Sequence, residues 1–450
     1  MQPSKSPTEI DTLINCRWLL PIVPAGRIYE NFAVAVHRQR IVAVCSQSEA
    51  AMRFRSASEY HLNDHLVMPG LVNCHLHGAM SLLRGYAEDL PLDSWLKKRI
   101  WPLERRVVNS DFVRDGTQLA AAEMIKSGTT CFADMYFYPE TSAEVVRDCG
   151  LRSQIGFPVF DDTSATGQTV DQQIHRGLQL HDTFKGHDLI KIACAPHSLD
   201  TAGIPTLTTL ATYANELDLP VHIHAHETAG EIIQATHQHG QRPLQLLRDI
   251  GLLLPQTQLV HMTQLDDDDL RLLEEHNSHV IHCPQSNLKL ASGFCPLAKL
   301  IDRGINVALG TDSAASNNDL DLFSELQTAT LLAKGISGDA GAMPAHRALR
   351  MATLDGAKAL GWQSEIGSLE TGKYADAIAI DMNSIQQQPL YNLASQLLYT
   401  HSGSRVSHNW VAGKILLKDG KLQTLNESSL IRSAQRWRDQ IVPDQSPAGH

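Results

Sequence analysis

Eight short apolar segments alternate with segments of helical periodicity through the middle of the chain, and this alternation constrains the fold more than any other feature. The apolar segments have the length of buried strands, and the segments between them carry apolar residues at helical spacing. The predicted strands are residues 66–74, 129–135, 151–160, 189–195, 220–225, 258–262, 279–282 and 305–310. The helical segments include residues 112–127, 142–149, 204–217, 270–276 and 297–304. Strand–helix units in such a series predict an α/β fold, a (β/α)8 TIM barrel.

Segments of β character flank the predicted barrel on both sides. Residues 13–20 and 32–44 precede it, and residues 373–380 and 410–417 follow it. We expect these segments from the two ends of the chain to pair into a small composite β-sandwich domain. The predicted division is residues 1–63 for the N-terminal part of the β domain, 64–372 for the barrel, and 373–450 for the C-terminal part with its tail.

Charge and cysteine content exclude several classes of protein. The formal net charge of -11 disfavours binding to nucleic acid or to an anionic membrane surface. The eight cysteines form no C-x-x-C pair and several lie in apolar runs, which is typical of buried thiols in a reducing cytoplasm.

No apolar run reaches the ~18 residues that a membrane span requires. Residues 1–12 lack the pattern of an export leader, so a cytoplasmic protein is expected.

Polar side chains follow the predicted strands at the point where each apolar run stops. His75 and His77 end the first strand, and residues two apart on a strand share a face, so both imidazoles can reach one ion. The later strands are followed by His197, His222, His224, His226, Glu227, His261 and Asp312. The active site of a (β/α)8 barrel forms at this end of its strands. The pattern therefore predicts a metal centre there, because a catalytic zinc site keeps about three protein ligands and an open position.

Several of these residues allow more than one interpretation from spacing alone. His222, His224 and His226 have the same strand parity, so parity does not choose among them as ligands. His197 is compatible with a core histidine or with a substrate contact. Glu104 lies in the segment WPLERR, which by itself predicts an exposed helical carboxylate.

Motifs spread over nearly the whole chain share their order and spacing with a known family. They are residues 69–80 (PGLVNCHLHGAM), 82–86 (LLRGY), Trp95 with 102–104 (PLE), His197, 224–227 (HAHE), His261, 282–287 (HCPQSN) and 310–313 (GTDS). Together they resemble the metal-dependent amidohydrolase superfamily, within it the branch of 5'-methylthioadenosine/S-adenosylhomocysteine deaminases and triazine hydrolases. The resemblance implies a hydrolase with one divalent metal ion as cofactor, Zn²⁺ in first place and Fe²⁺ or Mn²⁺ as alternatives.

The resemblance also implies a role for each residue of the site. The implied roles are metal ligation by His75, His77, His224 and Asp312, proton transfer by Glu227, and a position beside the metal-bound water for His261. The choice of His224 follows the H-x-x-E spacing that relates ligand and acid in the family, which leaves His222 deeper in the barrel. Asp312 is expected to ligate the ion and also to accept a hydrogen bond from the same water.

The implied reaction explains why these residue types are needed. Hydrolytic deamination places hydroxide on an aromatic carbon and an extra proton on the departing amine. A divalent ion lowers the pKa of bound water to about 7, which supplies the nucleophile. Glu227 can take the water proton, pass it to a ring nitrogen and later serve the leaving group, a relay worth ~10²–10⁴-fold. His261 can hold or polarise the hydroxide.

Two absences narrow the metal count and the substrate that the resemblance implies. Binuclear relatives carry a lysine near the end of the fourth strand, whereas here Lys191 lies early in that strand, so one metal is expected. Relatives that accept homocysteine carry an arginine near the end of the third strand, where this chain has IGFPVF at 155–160. Arg152 lies too early to replace it. Trp95 and Glu104 match nucleoside-binding elements, and the other expected substrate contacts are His197, Glu227 and Asp312.

These observations order the candidate functions. Deamination of 5'-methylthioadenosine comes first, followed by adenosine, 5'-deoxyadenosine and S-adenosylhomocysteine. Another amidohydrolase reaction, such as guanine or cytosine deamination or triazine dechlorination, is the nearest alternative; Glu227 favours deamination and Glu104 favours a ribose. A non-enzymatic barrel scaffold is disfavoured because no ligand is missing. The expected partner is a small nucleoside, with no nucleic acid and no membrane, and a homo-oligomer is left open.

Overall fold

The computed structural model describes residues 7–161 and 165–442, which form a barrel and a second sheet. The second sheet begins at the N-terminal end of the chain with Thr8–Leu19 (β1), Tyr29–His37 (β2), Arg40–Ser46 (β3) and Phe54–Pro69 (β4). Strand β1 pairs antiparallel with β2 and parallel with β4. The prediction that no export leader is present concerns residues 1–12, and residues 1–6 lie outside the described residues. Residues 443–450 of the predicted C-terminal tail also lie outside them.

Eight parallel strands form the barrel, as the sequence predicted. They are Leu71–Leu76 (β5), Thr129–Met135 (β6), Arg152–Val159 (β7), Ile190–Pro196 (β8), Val221–Ala225 (β9), Thr257–His261 (β10), His279–His282 (β11) and Val307–Leu309 (β12). Neighbouring strands pair in chain order, and β12 returns to β5, where the Asp312 backbone N–H donates to the His75 carbonyl at 3.0 Å. This closing contact requires Gly310, because a Cβ there would lie 2.9 Å from the His75 backbone nitrogen and oxygen.

Most of the α-helices connect the barrel strands or cover them, whereas the first one lies between β3 and β4 of the second sheet. The helices are Gln47–Arg53 (α1), Leu92–Trp95 (α2), Trp101–Val107 (α3), Ser110–Ser127 (α4), Pro139–Cys149 (α5), Val170–Phe184 (α6), Ile204–Leu217 (α7), Ala229–His239 (α8), Pro243–Asp249 (α9), Asp267–His276 (α10), Pro284–Lys289 (α11), Leu297–Asp302 (α12), Leu322–Ser337 (α13), Ala345–Met351 (α14), Leu354–Ala359 (α15), Leu393–Tyr399 (α16) and Glu427–Ile441 (α17). Their ends follow local chemistry: Asn109 caps α4 by accepting from the Phe112 N–H at 2.9 Å, and Gly128 ends it at φ 96°. No described helix is long and apolar enough to cross a membrane.

The two ends of the chain meet in the second sheet. Its C-terminal strands are Ala377–Asp381 (β13), Val406–Val411 (β14), Lys414–Lys418 (β15) and Lys421–Leu422 (β16). The sheet order is β16-β15-β14-β13-β4-β1-β2-β3, so the antiparallel pair β4 and β13 joins the halves into one continuous sheet. The prediction of a composite β domain built from both ends is confirmed. The division at residues 63 and 372 stays a prediction.

Three predicted strands differ from the observed ones. Residues 66–74 are not one strand: Leu66 pairs with Ile380 in the second sheet, whereas Leu71 pairs with Thr129 in the barrel. Both parts are fully buried, so the apolar run gives no sign of the change of sheet. Residues 32–44 and 410–417 each contain a hairpin turn and therefore belong to two strands each.

A buried ion pair joins the base of the barrel to the second sheet. Arg152, at the start of β7, donates from Nε to Asp376 Oδ2 at 2.9 Å and from Nη2 to Oδ1 at 3.2 Å. Its Nη1 donates to the Asp188 carbonyl at 2.6 Å, and the Ala412 N–H donates to Asp376 Oδ1 at 2.7 Å. Both side chains are almost fully buried, so each charge depends on the other for its stabilisation.

Candidate metal centre and active site

The four predicted metal ligands converge at the carboxyl ends of three barrel strands. His75 and His77 come from the end of β5, His224 from β9, and Asp312 from the segment after β12. His75 Nε2 lies 3.2 Å from His224 Nε2 and 3.5 Å from Asp312 Oδ1, and His77 Nε2 also lies 3.5 Å from Asp312 Oδ1. These atoms would hold one divalent ion. Three imidazoles and a carboxylate suit Zn²⁺, Fe²⁺ and Mn²⁺.

The second nitrogen of each histidine is held by another group, which leaves Nε2 for an ion. His77 Nδ1 lies 2.5 Å from the Met135 carbonyl and His224 Nδ1 lies 2.6 Å from the His197 carbonyl. A carbonyl only accepts, so both Nδ1 atoms carry the proton and both Nε2 atoms carry a lone pair. This is how metal-binding histidines are oriented in proteins. The donor set therefore fits a divalent ion. Burial also lowers the pKa of His75 and of His224 well below the ordinary value, which favours the neutral, ligating form.

Asp312 is fixed by donors on its own segment and on α11. Its Oδ2 accepts from the Ser286 and Ser316 hydroxyls at 2.6 and 3.0 Å, and its Oδ1 accepts from the Ser313 N–H at 2.7 Å. These three donors favour the charged form of the carboxyl group, which can only accept. Asp312 is therefore a carboxylate at neutral pH.

Glu227 and His261 lie together beside the ligand cluster. Glu227 follows β9 and its Oε2 lies 3.5 Å from His261 Nε2, while its Oε1 accepts from the Ser292 hydroxyl at 3.2 Å. The His261 ring stacks on the His224 ring with centroids 5.4 Å apart. Burial raises the pKa of the Glu227 carboxyl, and the neighbouring His261 opposes that rise. A carboxylate with a raised pKa accepts a proton more readily than an ordinary one, which suits a proton-transfer role.

Glu104 is buried, which contradicts the exposed helical carboxylate that its local sequence predicts. It lies in α3 with only 5% of its surface exposed, and its Oε1 accepts from the Tyr136 hydroxyl at 2.7 Å. The Tyr136 ring is 6.4 Å from the His77 ring, so this carboxyl belongs to the surroundings of the metal centre. Burial raises the pKa of Glu104 to about 7, although the Tyr136 hydrogen bond lowers it.

His197 and Trp95 occupy different surroundings. The His197 ring stacks on Phe160 at 4.8 Å and lies 4.8 Å from the His224 ring, and burial lowers its pKa to about 3. Its carbonyl also holds His224, a backbone role that no sequence pattern indicates. Trp95 is buried in an apolar cluster, and its indole N–H donates to the Ala87 carbonyl at 3.1 Å.

Four residues of the site were not singled out from the sequence. Ser286 and Asn287 lie in the motif at 282–287, where Asn287 Nδ2 contacts His261 Nδ1 at 3.4 Å. Tyr136 directly follows β6, so the rule that polar residues follow strands could have found it. Ser316 lies beyond a strand end and gave no signal.

The two cations discussed as possible site residues lie elsewhere. Lys191 donates from Nζ to the Gly361 carbonyl at 2.7 Å and lies over the Trp362 ring, near the start of β8. Arg152 is held by Asp376 at the base of the barrel. Both are therefore at the opposite end of their strands from the histidine cluster.

The fold and the site together define a metal-dependent hydrolase built on a (β/α)8 barrel. The model of the amidohydrolase family matches residues 66–416. The chain belongs to the amidohydrolase family.

Several known proteins are similar to this chain over nearly their whole length. The chain is 50% identical over 434 residues to the 5-methylthioadenosine/S-adenosylhomocysteine deaminase of Teredinibacter turnerae, which covers 96% of this chain and 98% of that protein. It is 43% identical to a zinc-bound adenosine deaminase from Xanthomonas campestris, with a TM-score of 0.96, covering 97% of this chain and 99% of that one. A zinc-complexed atrazine chlorohydrolase from Arthrobacter aurescens is 21% identical, with a TM-score of 0.87 over 95% of this chain and 99% of that one, and shares the fold.

Proposed function

We propose that this protein is a hydrolytic deaminase of adenine nucleosides and that 5'-methylthioadenosine is its preferred substrate. The observation that carries the proposal is the position of Glu227 and His261, 3.5 Å apart, beside three histidines whose Nε2 atoms are free to bind an ion. Relatives named for deamination of 5-methylthioadenosine, S-adenosylhomocysteine and adenosine support it at 43–50% identity.

Each residue of the proposed centre has a separate task. His75, His77, His224 and Asp312 would hold the ion, for which Zn²⁺ is our first choice. A divalent ion held there lowers the pKa of water to about 7 and so supplies hydroxide at neutral pH. Glu227 would take one proton from the attacking water and deliver it to a ring nitrogen. It would then carry the second proton, from the new C–OH group, to the amine, so that one water and one nucleoside yield the inosine analogue and ammonia. His261 Nε2 and Asp312 orient the water.

Glu104 and Tyr136 support a nucleoside rather than a free base as substrate. A buried carboxylate that already accepts from Tyr136 has further lone pairs, which suit the two hydroxyls of a ribose. Trp95 is proposed to contact the substrate through its ring, because its N–H is engaged by Ala87. His197 is proposed as a further substrate contact beside His224.

A row of aromatic rings supports an uncharged 5' substituent. Tyr136 and Phe137 lie 5.2 Å apart, Phe137 and Phe160 lie 5.6 Å apart, and Phe160 stacks on His197 at 4.8 Å. These rings follow the ends of β6, β7 and β8, on the Glu104 side of the centre. A methylthio group packs well on such a surface, whereas the charged amino acid of S-adenosylhomocysteine needs ionic partners there.

A substrate panel tests the proposed activity. Ammonia release is measured with 5'-methylthioadenosine, 5'-deoxyadenosine, adenosine, S-adenosylhomocysteine, guanine and cytosine, and chloride release is measured with a chlorotriazine. The highest kcat/KM is expected for 5'-methylthioadenosine. A preference for a free base or for the chlorotriazine would contradict the proposal. Elemental analysis of the same protein should find about one divalent ion per chain, and His224→Ala should lose it.

Glu104→Ala sharpens the substrate test. The variant should lower kcat/KM for 5'-methylthioadenosine by about ten- to a hundredfold, because charge-assisted hydrogen bonds to the ribose are lost. A 2',3'-dideoxy analogue, which lacks these hydroxyls, should react equally slowly with both proteins. Equal losses on both substrates would show that Glu104 supports the fold and does not bind the sugar.

The cellular setting follows from the same chemistry. All eight cysteines are buried and free, which supports the cytoplasm as the place where the protein acts. We propose no partner other than the nucleoside. Association of identical chains, which the sequence leaves open, is measured by light scattering.

A further inference from the structure

A chain of buried hydrogen bonds runs from the back of the metal centre to the base of the barrel. His75 Nδ1 lies 2.8 Å from His222 Nε2, and His222 Nδ1 lies 2.6 Å from Gln258 Oε1. His222 and Gln258 are register partners on the neighbouring strands β9 and β10. Gln258 continues the chain to Gln154 on β7 and to the Ala359 carbonyl. All four side chains in this chain are at most 2% exposed.

The direction of every hydrogen bond in this chain follows from its last member. The Ala359 carbonyl only accepts, so the Gln258 atom 3.0 Å away is its amide nitrogen, and Gln258 Oε1 faces His222. Because this oxygen also only accepts, the proton of His222 lies on Nδ1, and His222 Nε2 has a lone pair. His75 Nδ1 must then donate, which leaves the lone pair of His75 on Nε2, the atom that faces His224 and Asp312.

We propose that Gln258 and His222 are positioning residues that set the tautomer of His75 and thereby preorganise it for the metal ion. This inference rests on the proposed metal centre, but it assigns a task to two residues outside the ligand set. His77 and His224 obtain the same orientation from backbone carbonyls. His75 is the most buried of the three, and its Nδ1 faces the His222 side chain and not a carbonyl. A neutral His222 has two tautomers, so the tautomer of His75 is decided only when Gln258 fixes the proton of His222 on Nδ1.

Without the Gln258 acceptor, His222 can move its proton to Nε2. It would then donate to His75 Nδ1, and the proton of His75 would shift to Nε2, where it blocks the metal. The metal-free protein would populate both arrangements, and the ion would bind only one of them. Outer partners of metal-binding histidines typically change metal affinity by about 10–100-fold, and a loss of this size is expected here.

Three variants separate this role from general packing. Gln258→Met keeps the length of the side chain but removes the acceptor, and it should weaken Zn²⁺ affinity by about 10–100-fold in competition with a chromogenic chelator. Gln258→Glu keeps an oxygen towards His222, and in its protonated form it also donates to the Ala359 carbonyl, so its affinity should stay within about threefold of the parent. Gln154→Met is the matched control, because it removes a buried bond to Gln258 without touching His222.

The outcomes that overturn the proposal are defined by metal affinity and not by turnover. Parental affinity in Gln258→Met, or equal losses in Gln258→Met and Gln154→Met, would show that the chain only supports packing. Should Gln258→Met fail to fold, His222→Leu removes the acceptor of the His75 proton directly and carries the same expected loss. Failure of the proposed deaminase activity would leave these affinities unchanged, so the two proposals are tested separately.

Discussion

The backbone at Glu227 is held by a second acidic side chain four residues further along the chain. Glu231 Oε1 accepts from the His226 N–H at 3.0 Å and Oε2 accepts from the Glu227 N–H at 2.7 Å. His226 has a φ of 52°, so the chain turns sharply at the end of β9. The turn and the Ser292 hydroxyl together aim the Glu227 carboxyl at His261, as a proton-transfer role requires.

Replacing Glu227 by Gln should remove turnover and leave the metal in place. The amide has nearly the same shape but cannot carry the proton, so kcat should fall by about 10²-fold or more. Elemental analysis of the purified variant should still find the ion at the parental level. Loss of the metal together with activity would mean that Glu227 is a ligand.

The ionised carboxyl group of Glu104 should lower the free energy of unfolding in alkaline solution. Burial raises its pKa from 4.5 to about 7, so the folded protein binds a proton that the unfolded chain releases between these values. Stability from this group is therefore lost as the pH rises from about 4.5 to about 7. Glu104→Gln should raise the free energy of unfolding by about 1–3 kcal/mol at pH 8 and by much less at pH 4.5. Denaturant unfolding at both pH values measures the difference, and an equal effect at both would contradict the shift.

The candidate site could be predicted only as far as strand ends and motifs reach. His75, His77 and Asp312 could be predicted because each follows an apolar run, whereas the choice of His224 over His222 and His226 also needed the H-x-x-E spacing of the family. The burial of Glu104 could not be predicted, because it depends on a contact with Tyr136, which follows β6 and is distant in the sequence. Likewise, Gln258 is the first residue of the predicted strand 258–262 and follows two other polar residues, and only the register of β9 and β10 brings it to His222.

At the level of elements, the contact between β12 and β5 both closes the barrel and positions His75 and Asp312, two of the proposed metal ligands. Gly310→Ala should disturb it, because the new Cβ would lie 2.7 Å from His75 Cβ and 2.9 Å from the His75 backbone. Overpacking of this kind typically costs about 1–3 kcal/mol, and zinc affinity should fall with it. Gly335→Ala in α13 is the control, since nothing lies within 4 Å of its added Cβ. Thermal unfolding and chelator competition check both variants; parental values for Gly310→Ala would contradict the closing role.

A strand could be predicted where one apolar run corresponds to one strand. Two hairpins were predicted as single strands, because residues other than Asn and Gly occupy positions of positive φ in their turns. Arg38 and Gln39 have φ of 47° and 73°, a turn for which Asn and Gly are the common residues. The turn between β14 and β15 uses Ala412, with a φ of 48°, before Gly413. A non-glycine residue with positive φ is held by the strands on either side, so its local sequence does not reveal it.

At the level of the whole molecule, the pair of Arg152 and Asp376 should contribute to the cohesion of the barrel and the second sheet. Asp376→Ala leaves a buried guanidinium without its partner, which typically costs about 3–5 kcal/mol. Denaturant unfolding measures this loss, and kcat of the folded fraction should stay at the parental level because the pair lies at the far end of the barrel. Asp439→Ala, which removes the exposed partner of Arg438, is the control and should cost less than about 1 kcal/mol. Similar costs for the two variants would contradict the role.

The pairing of β4 with β13 also has a consequence for synthesis. A ribosome releases β4 early, but its partner β13 emerges only after every strand of the barrel has been made. Until then the edge of β4 at residues 65–69 offers unpaired backbone groups to other nascent chains. A truncated chain that ends before residue 377 lacks β13 and is therefore expected to aggregate. Only a chain in which the whole barrel has been translated can complete the sheet.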